Sequence, residues 1–220
     1  MTKLIKGLRT LRVANIISIV SMALTMIGII VLIASGTFAV AGGETTLSKG
    51  LVITAGAGGL IALISIIFVL VANILEIVAL VKMKSIHSGY KTALILVLIG
   101  IVASISLLFC PFLRSLPKLM EILPTIISCL VVYFVIDATV SFLKNKGDTT
   151  LADKGNKVIR IYIVCTAITI VANFVTLIPA LATVVSIVTL VTSVVQLVAI
   201  FKYIGFLGQS ATSLESESMS

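Results

Sequence analysis

Charge is what this sequence has least of. Asp, Glu, Lys and Arg make up 11% of its 220 residues, against 60% hydrophobic. A soluble domain carries roughly 25% charged residues. With half that share, polar side chains are too few to cover a water-soluble globule. Histidine occurs once, at His87. One histidine cannot hold a haem between two helices or build a multi-histidine metal site, and His87 reads as a solvated loop residue. Cysteine occurs three times, at Cys110, Cys129 and Cys165, each inside an apolar stretch and never as CxxC. An odd count with no paired spacing predicts neither disulfide nor metal, so each thiol is expected to pack as a small hydrophobe. The glycines Gly56, Gly58 and Gly59 have neither a following Lys-Ser/Thr nor a strand-to-helix context, which excludes a phosphate-cradling loop and leaves close helix packing. No cofactor is expected.

What is present is apolar length. Six nearly uncharged stretches cover residues 13–36, 55–81, 92–113, 122–143, 158–178 and 180–204. A bilayer-spanning helix needs about 20 mostly apolar residues. The stretches are too long for ordinary strands and lack the in/out alternation of an outer-membrane barrel. Inside hydrocarbon the backbone must satisfy its own hydrogen bonds, so they are read as helices. The expected fold is all-α: a polytopic integral membrane helix bundle, six transmembrane helices arranged as three hairpins within residues 1–207.

The net charge of +8 invites a nucleic-acid reading, which the placement of the charges argues against. Thirteen of the sixteen Lys and Arg fall in alternate gaps: Lys3, Lys6, Arg9, Arg12, Lys82, Lys84, Lys91, Lys144, Lys146, Lys154, Lys157, Arg160 and Lys202. The other gaps hold Lys49, Arg114 and Lys118. This is the positive-inside bias. It predicts a multi-pass protein of the cytoplasmic membrane with both termini in the cytoplasm, an arrangement that six spans satisfy. The expected partners are the bilayer itself, anionic lipid headgroups at the basic face, and a second copy or another membrane protein, with no nucleic acid. A basic N-terminus followed by Ala39-Val40-Ala41 also resembles a signal peptide. Its apolar part, from Val13 to Ala39, is far longer than the 7–15 residues usual for such a segment, so it is read as an uncleaved first span.

Residues 37–50 are Gly- and Thr-rich and read as an outer loop, and 144–157 form the longest polar gap. Pro124 and Pro179 each suit the first turn of a helix, and Leu177–Ala180 reads as a tight turn. The Ser-rich, acidic residues 208–220 cannot bury enough apolar surface to fold alone and are expected to be a disordered tail. A weak internal repeat aligns Lys6-Gly7-Leu8-Arg9 with Lys154-Gly155-Asn156-Lys157. Glu76, Asp137 and Gln196, spaced 61 and 59 apart, each precede a lysine by six or seven residues.

Ionisable groups inside spans are functional suspects by default, which singles out Glu76 and Asp137. Arg12 on the first span and Arg160 on the fifth are their candidate ion-pair partners, and Gln196 holds the matching place on the sixth. The fifth span carries a polar stripe of Tyr162, Thr166, Thr169, Asn173 and Thr176, within an arc of about 100°. Such a stripe either lets helices approach closely and bond across an interface or lines a wet route for a cation or small solute. The leading expectation is a non-enzymatic scaffold, accessory or regulatory membrane protein. The alternative is a small proton- or cation-coupled transporter or channel using the two carboxylates. An intramembrane enzyme has least support.

Overall fold

Within the described residues each apolar stretch is helical. The computed structural model describes the backbone of residues 1–41, 49–109, 117–175 and 182–219. Among these the elements are α1 (Thr2–Ala41), α2 (Lys49–Met83), α3 (Ser88–Phe109), α4 (Pro117–Asn145), α5 (Thr149–Val175) and α6 (Ala182–Met219), with no strand. Five helices are long and apolar enough to cross a membrane by length and composition; α3 contributes a shorter apolar stretch, Ser88–Ala103. Thr176, Pro179, the 177–180 turn, Cys110 and the middle of the 37–50 loop lie outside the described residues.

The helices overrun the apolar stretches, and four expectations are corrected there. The tail 208–220, expected to be disordered, continues α6 as helix to Met219. Its packing surface comes from Phe206, Leu207, Ser210, Ala211 and Leu214, all buried, a helical stripe that extends across the expected boundary. The polar gap 144–157 contracts to the three residues 146–148, because α5 begins at Thr149. Pro124 stands inside α4 rather than at its start; Pro117 takes the first helical position, where a missing amide costs nothing. His87 is not merely solvated: its Nδ1 accepts the Gly89 amide at 3.1 Å and so caps α3.

The turn from α4 to α5 follows from two residues. The Gly147 amide donates to the Lys144 carbonyl (3.0 Å) and the Asp148 amide to the Leu143 carbonyl (3.1 Å), the paired bonds of a Schellman cap. That cap needs a left-handed residue, and Gly147 has φ +86°, which glycine adopts without steric cost. Asp148 then caps the next helix.

The chain forms two compact units, Thr10–Glu76 and a larger one built from Met1–Arg9 with Ile77–Ser220. In the first, Ser21 donates to the Ser65 carbonyl at 2.8 Å, joining α1 to α2. In the second, α3 packs on α4, α4 on α5 and α5 on α6. The deepest side chains of this larger unit, including Leu4, Leu8, Leu80, Met83, Tyr90, Ile136, Leu143, Leu207 and Leu214, belong to the ends that carry the lysines and arginines. Two glycines allow helices to meet there. A β-carbon on Gly7 would lie 2.3 Å from Met83 Cγ, and one on Gly155 would lie 2.5 Å from Val140 Cγ2 and 2.8 Å from Phe206 Cζ. Away from this layer the helices leave large apolar residues uncovered, with Leu190 66% exposed and Leu60 65% exposed. Monomeric soluble proteins rarely display apolar surface on that scale, and hydrocarbon is the solvent that tolerates it.

Candidate functional site

The residues singled out in the sequence are divided between the two units, Arg12 and Glu76 in the smaller and Asp137, Arg160 and Gln196 in the larger. Glu76 on α2 and Asp137 on α4 are half-buried, as is Gln196 on α6, while Arg12 and Arg160 are exposed. Neither expected ion pair forms. A different salt bridge is present, Arg9 to Glu215. No group of three His, Cys, Asp or Glu side chains placed to hold a metal occurs among the described residues.

The described residues of the α5 stripe differ in burial. Tyr162, Cys165 and Thr166 are buried, while Thr169 and Asn173 are half-buried. Thr166 donates its hydroxyl to the Tyr162 carbonyl and Thr169 to the Cys165 carbonyl, both at 2.9 Å. Tyr162 and Asn173 are engaged as well. The same four-residue back-bond recurs at Thr25, Ser65, Thr139, Thr192 and Ser193. A hydroxyl whose proton already goes to its own helix satisfies itself at bilayer depth without water. Bonds between helices are fewer. Thr139 gives its proton to the Val135 carbonyl (2.7 Å), so in its 2.9 Å contact with Tyr90 the phenol is the donor.

The concentrated polar chemistry lies at the basic end, where the sequence reading placed no site. Asp148 Oδ1 accepts the Leu151 amide (3.1 Å) and the Thr150 hydroxyl (3.0 Å), as an N-cap of α5 should. Its Oδ2 accepts the Ser213 hydroxyl of α6 at 2.9 Å. Lys154 reaches Gln209 Oε1 at 3.2 Å, and Arg9 of α1 pairs with Glu215. One end of α6 is thereby tied to both α5 and α1. The signal was partly present: Gly147-Asp148 is a helix stop followed by a helix start, and Leu207, Ala211 and Leu214 keep helical spacing.

The Leu151 amide, followed by the Ser213 hydroxyl, holds the Asp148 carboxyl below its ordinary value of 3.8. A depressed carboxyl stabilises the fold above its unfolded value, and the contribution disappears as pH falls through the folded value. Asp148→Ala should therefore lower stability at pH 7 by about 1 kcal/mol, the usual worth of an N-cap. Thermal unfolding in detergent should show the gap from the parent chain closing below about pH 4, since protonation then weakens the parent chain too. Asp148→Asn, which keeps an acceptor but no charge, should lose this pH dependence.

Beside these contacts, α5 and α6 enclose two adjoining hollows. One of about 370 Å³ is bounded by Arg160, Val164, Ile168, Val191 and Val195 among others. The second, of about 350 Å³, continues from Ile168 to Val171, Val175, Val184 and Val188 and is wholly apolar. The stripe of Tyr162, Thr166 and Asn173 points roughly 150° away around α5, at about 100° per residue. Cys165, at the edge of the stripe, also borders the first hollow. Comparison with known proteins finds no matching family model, curated protein or solved structure.

Proposed function

We propose that this chain is a non-enzymatic scaffold or accessory protein of the cytoplasmic membrane. In this reading six helices cross the bilayer as three hairpins, and both termini and the basic helix ends face the cytoplasm. The observation that carries it is the division of labour along the helices. At bilayer depth the hydroxyls bond to their own helices, the second hollow is lined by aliphatic side chains alone, and the first is mostly aliphatic with Arg160 at one end. Specific, interlocked contacts gather at the basic end. A protein built this way offers partners a defined surface at the membrane face and no polar route between its helices. The glycines at the starts of three odd-numbered helices, in Gly7-Leu8-Arg9, Gly89-Tyr90-Lys91 and Gly155-Asn156-Lys157, support an architecture of repeated hairpins with a basic foot.

A second reading has one specific observation behind it. Glu76 and Asp137 are half-buried on apolar helices without an ion-pair partner among the described residues, as a proton- or cation-coupled transporter would require. Reconstitution into vesicles separates the two. A scaffold should leave an imposed proton or sodium gradient decaying as in empty vesicles, and Glu76→Gln and Asp137→Asn should change neither that decay nor the yield of folded protein. A flux that the intact chain carries and either variant abolishes would replace the scaffold reading with the transporter.

A further inference from the structure

We propose that the groove between α5 and α6 is a binding site for one anionic phospholipid of the inner leaflet. One acyl chain lies in the two hollows, and the phosphate is held by Lys157, Arg160 and Lys202. The inference rests on the membrane orientation proposed above and adds to it a single defined lipid site.

Three observations carry it. The first is alignment. At about 100° per residue, the groove-lining positions of α5 from 161 to 175 fall within an arc of about 160°, the large aliphatics Ile161, Val164, Ile168, Val171 and Val175 within about 80°, and Lys157 lies at the centre of both. On α6 the lining positions span about 120°, four of them (Val184, Val188, Val191 and Val195) fall within about 60°, and Lys202 extends the line of those four. Each apolar stripe thus ends in a cation on its own axis. The second is level. The helices run antiparallel, with Gly155 set against Phe206 and Val164 sharing a hollow with Val191 and Val195. Between these two fixed points Lys157 and Lys202 come opposite one another, just short of one turn beyond Arg160. The third is charge. All three cations are exposed, and none of them is in the Arg9–Glu215 salt bridge. Asp153, the acid on this face of α5, sits a further turn out and makes no ion pair with them.

The dimensions suit a lipid chain. One leaflet is about half of the ~30 Å hydrocarbon core, and Arg160 to Val171 spans about 16 Å at 1.5 Å per residue. A chain entering beside Arg160 fills the first hollow and reaches the second. At the mouth, a guanidinium offers a phosphate two parallel N–H bonds while lysines act as point charges. A zwitterionic lipid brings its own cation to that cluster and is disfavoured.

The test is native mass spectrometry of the delipidated full chain in detergent, with phosphatidylglycerol or phosphatidylcholine added. One phosphatidylglycerol should be retained at least tenfold more readily than phosphatidylcholine. The triple variant Lys157→Gln, Arg160→Gln, Lys202→Gln should lose about tenfold in that retention. The charge-matched control Lys3→Gln, Lys84→Gln, Lys91→Gln should retain it. Val195→Trp, which fills the first hollow and leaves the cations intact, should lose it too. Equal retention of the two lipids, equal loss in both triple variants, or full retention by Val195→Trp would each overturn the site. Recovery of the intact chain from detergent-free buffer would instead overturn the membrane reading beneath it, so the two failures are distinct.

Discussion

Truncating Leu214 to alanine is expected to cost about 3 kcal/mol, within the 2–5 kcal/mol usual for a fully buried leucine. Leu214 has no exposed surface, although it lies in the Ser-rich, acidic segment whose composition reads as disordered. Its neighbours along the stripe, Leu207 and Ala211, are buried too. Removing the side chain leaves a cavity that the rest of α6 cannot close, because Ser213 is held to Asp148 and Glu215 to Arg9 on either side. The measurement is thermal or denaturant unfolding in detergent beside Ser216→Ala, an exposed position where the change should stay within about 0.5 kcal/mol. If Leu214→Ala behaves like Ser216→Ala, the end of α6 is not docked and the polar cluster at the basic end dissolves with it.

A second large effect is expected at Gly155, with an opposite sign at Gly205. Glycine to alanine inside a helix normally gains about 0.5–1 kcal/mol from backbone entropy. At Gly205 a new β-carbon meets nothing within 4 Å, so Gly205→Ala should stabilise by about that amount. At Gly155 it would stand 2.5 Å from Val140 Cγ2 and 2.9 Å or less from two ring carbons of Phe206. Val140 is stiff at χ1, and both residues are buried. Neither can swing away, so α4 and α6 must separate. Overpacking of this kind costs about 1–3 kcal/mol, and after the entropic gain Gly155→Ala should remain destabilised by about 1–2 kcal/mol. Paired unfolding curves decide it. Two alanines of equal effect would mean that α5 does not approach its neighbours this closely.

The helices were legible because apolar length in a chain with little charge has one physical solution. Their ends were harder to read. The residues around Lys154, and those from Phe206 onward, carry enough Lys, Ser and Glu to look solvated. A helix that projects past hydrocarbon needs only one apolar stripe, and Phe206, Leu207, Ala211 and Leu214 supply it among polar neighbours. The pairings of Glu76 with Arg12 and of Asp137 with Arg160 were inferred from depth alone, and depth says nothing about which way a side chain faces around its helix. Arg160 illustrates this, since it lies on the groove side of α5. Asp148 was read only as part of a loop, although an aspartate after a glycine is a helix-start signal in its own right. Its bond to Ser213, 65 positions away, had no local trace.

The contact of Arg9 with Glu215 joins residues 206 positions apart. During synthesis the first helix emerges long before its counterpart exists. Leu4 and Leu8 therefore wait, uncovered or borrowed by other surfaces, until α6 has been made. The layer at the basic foot closes only once the turns of α6 around Glu215 exist, and a ribosome stalled short of them leaves it open.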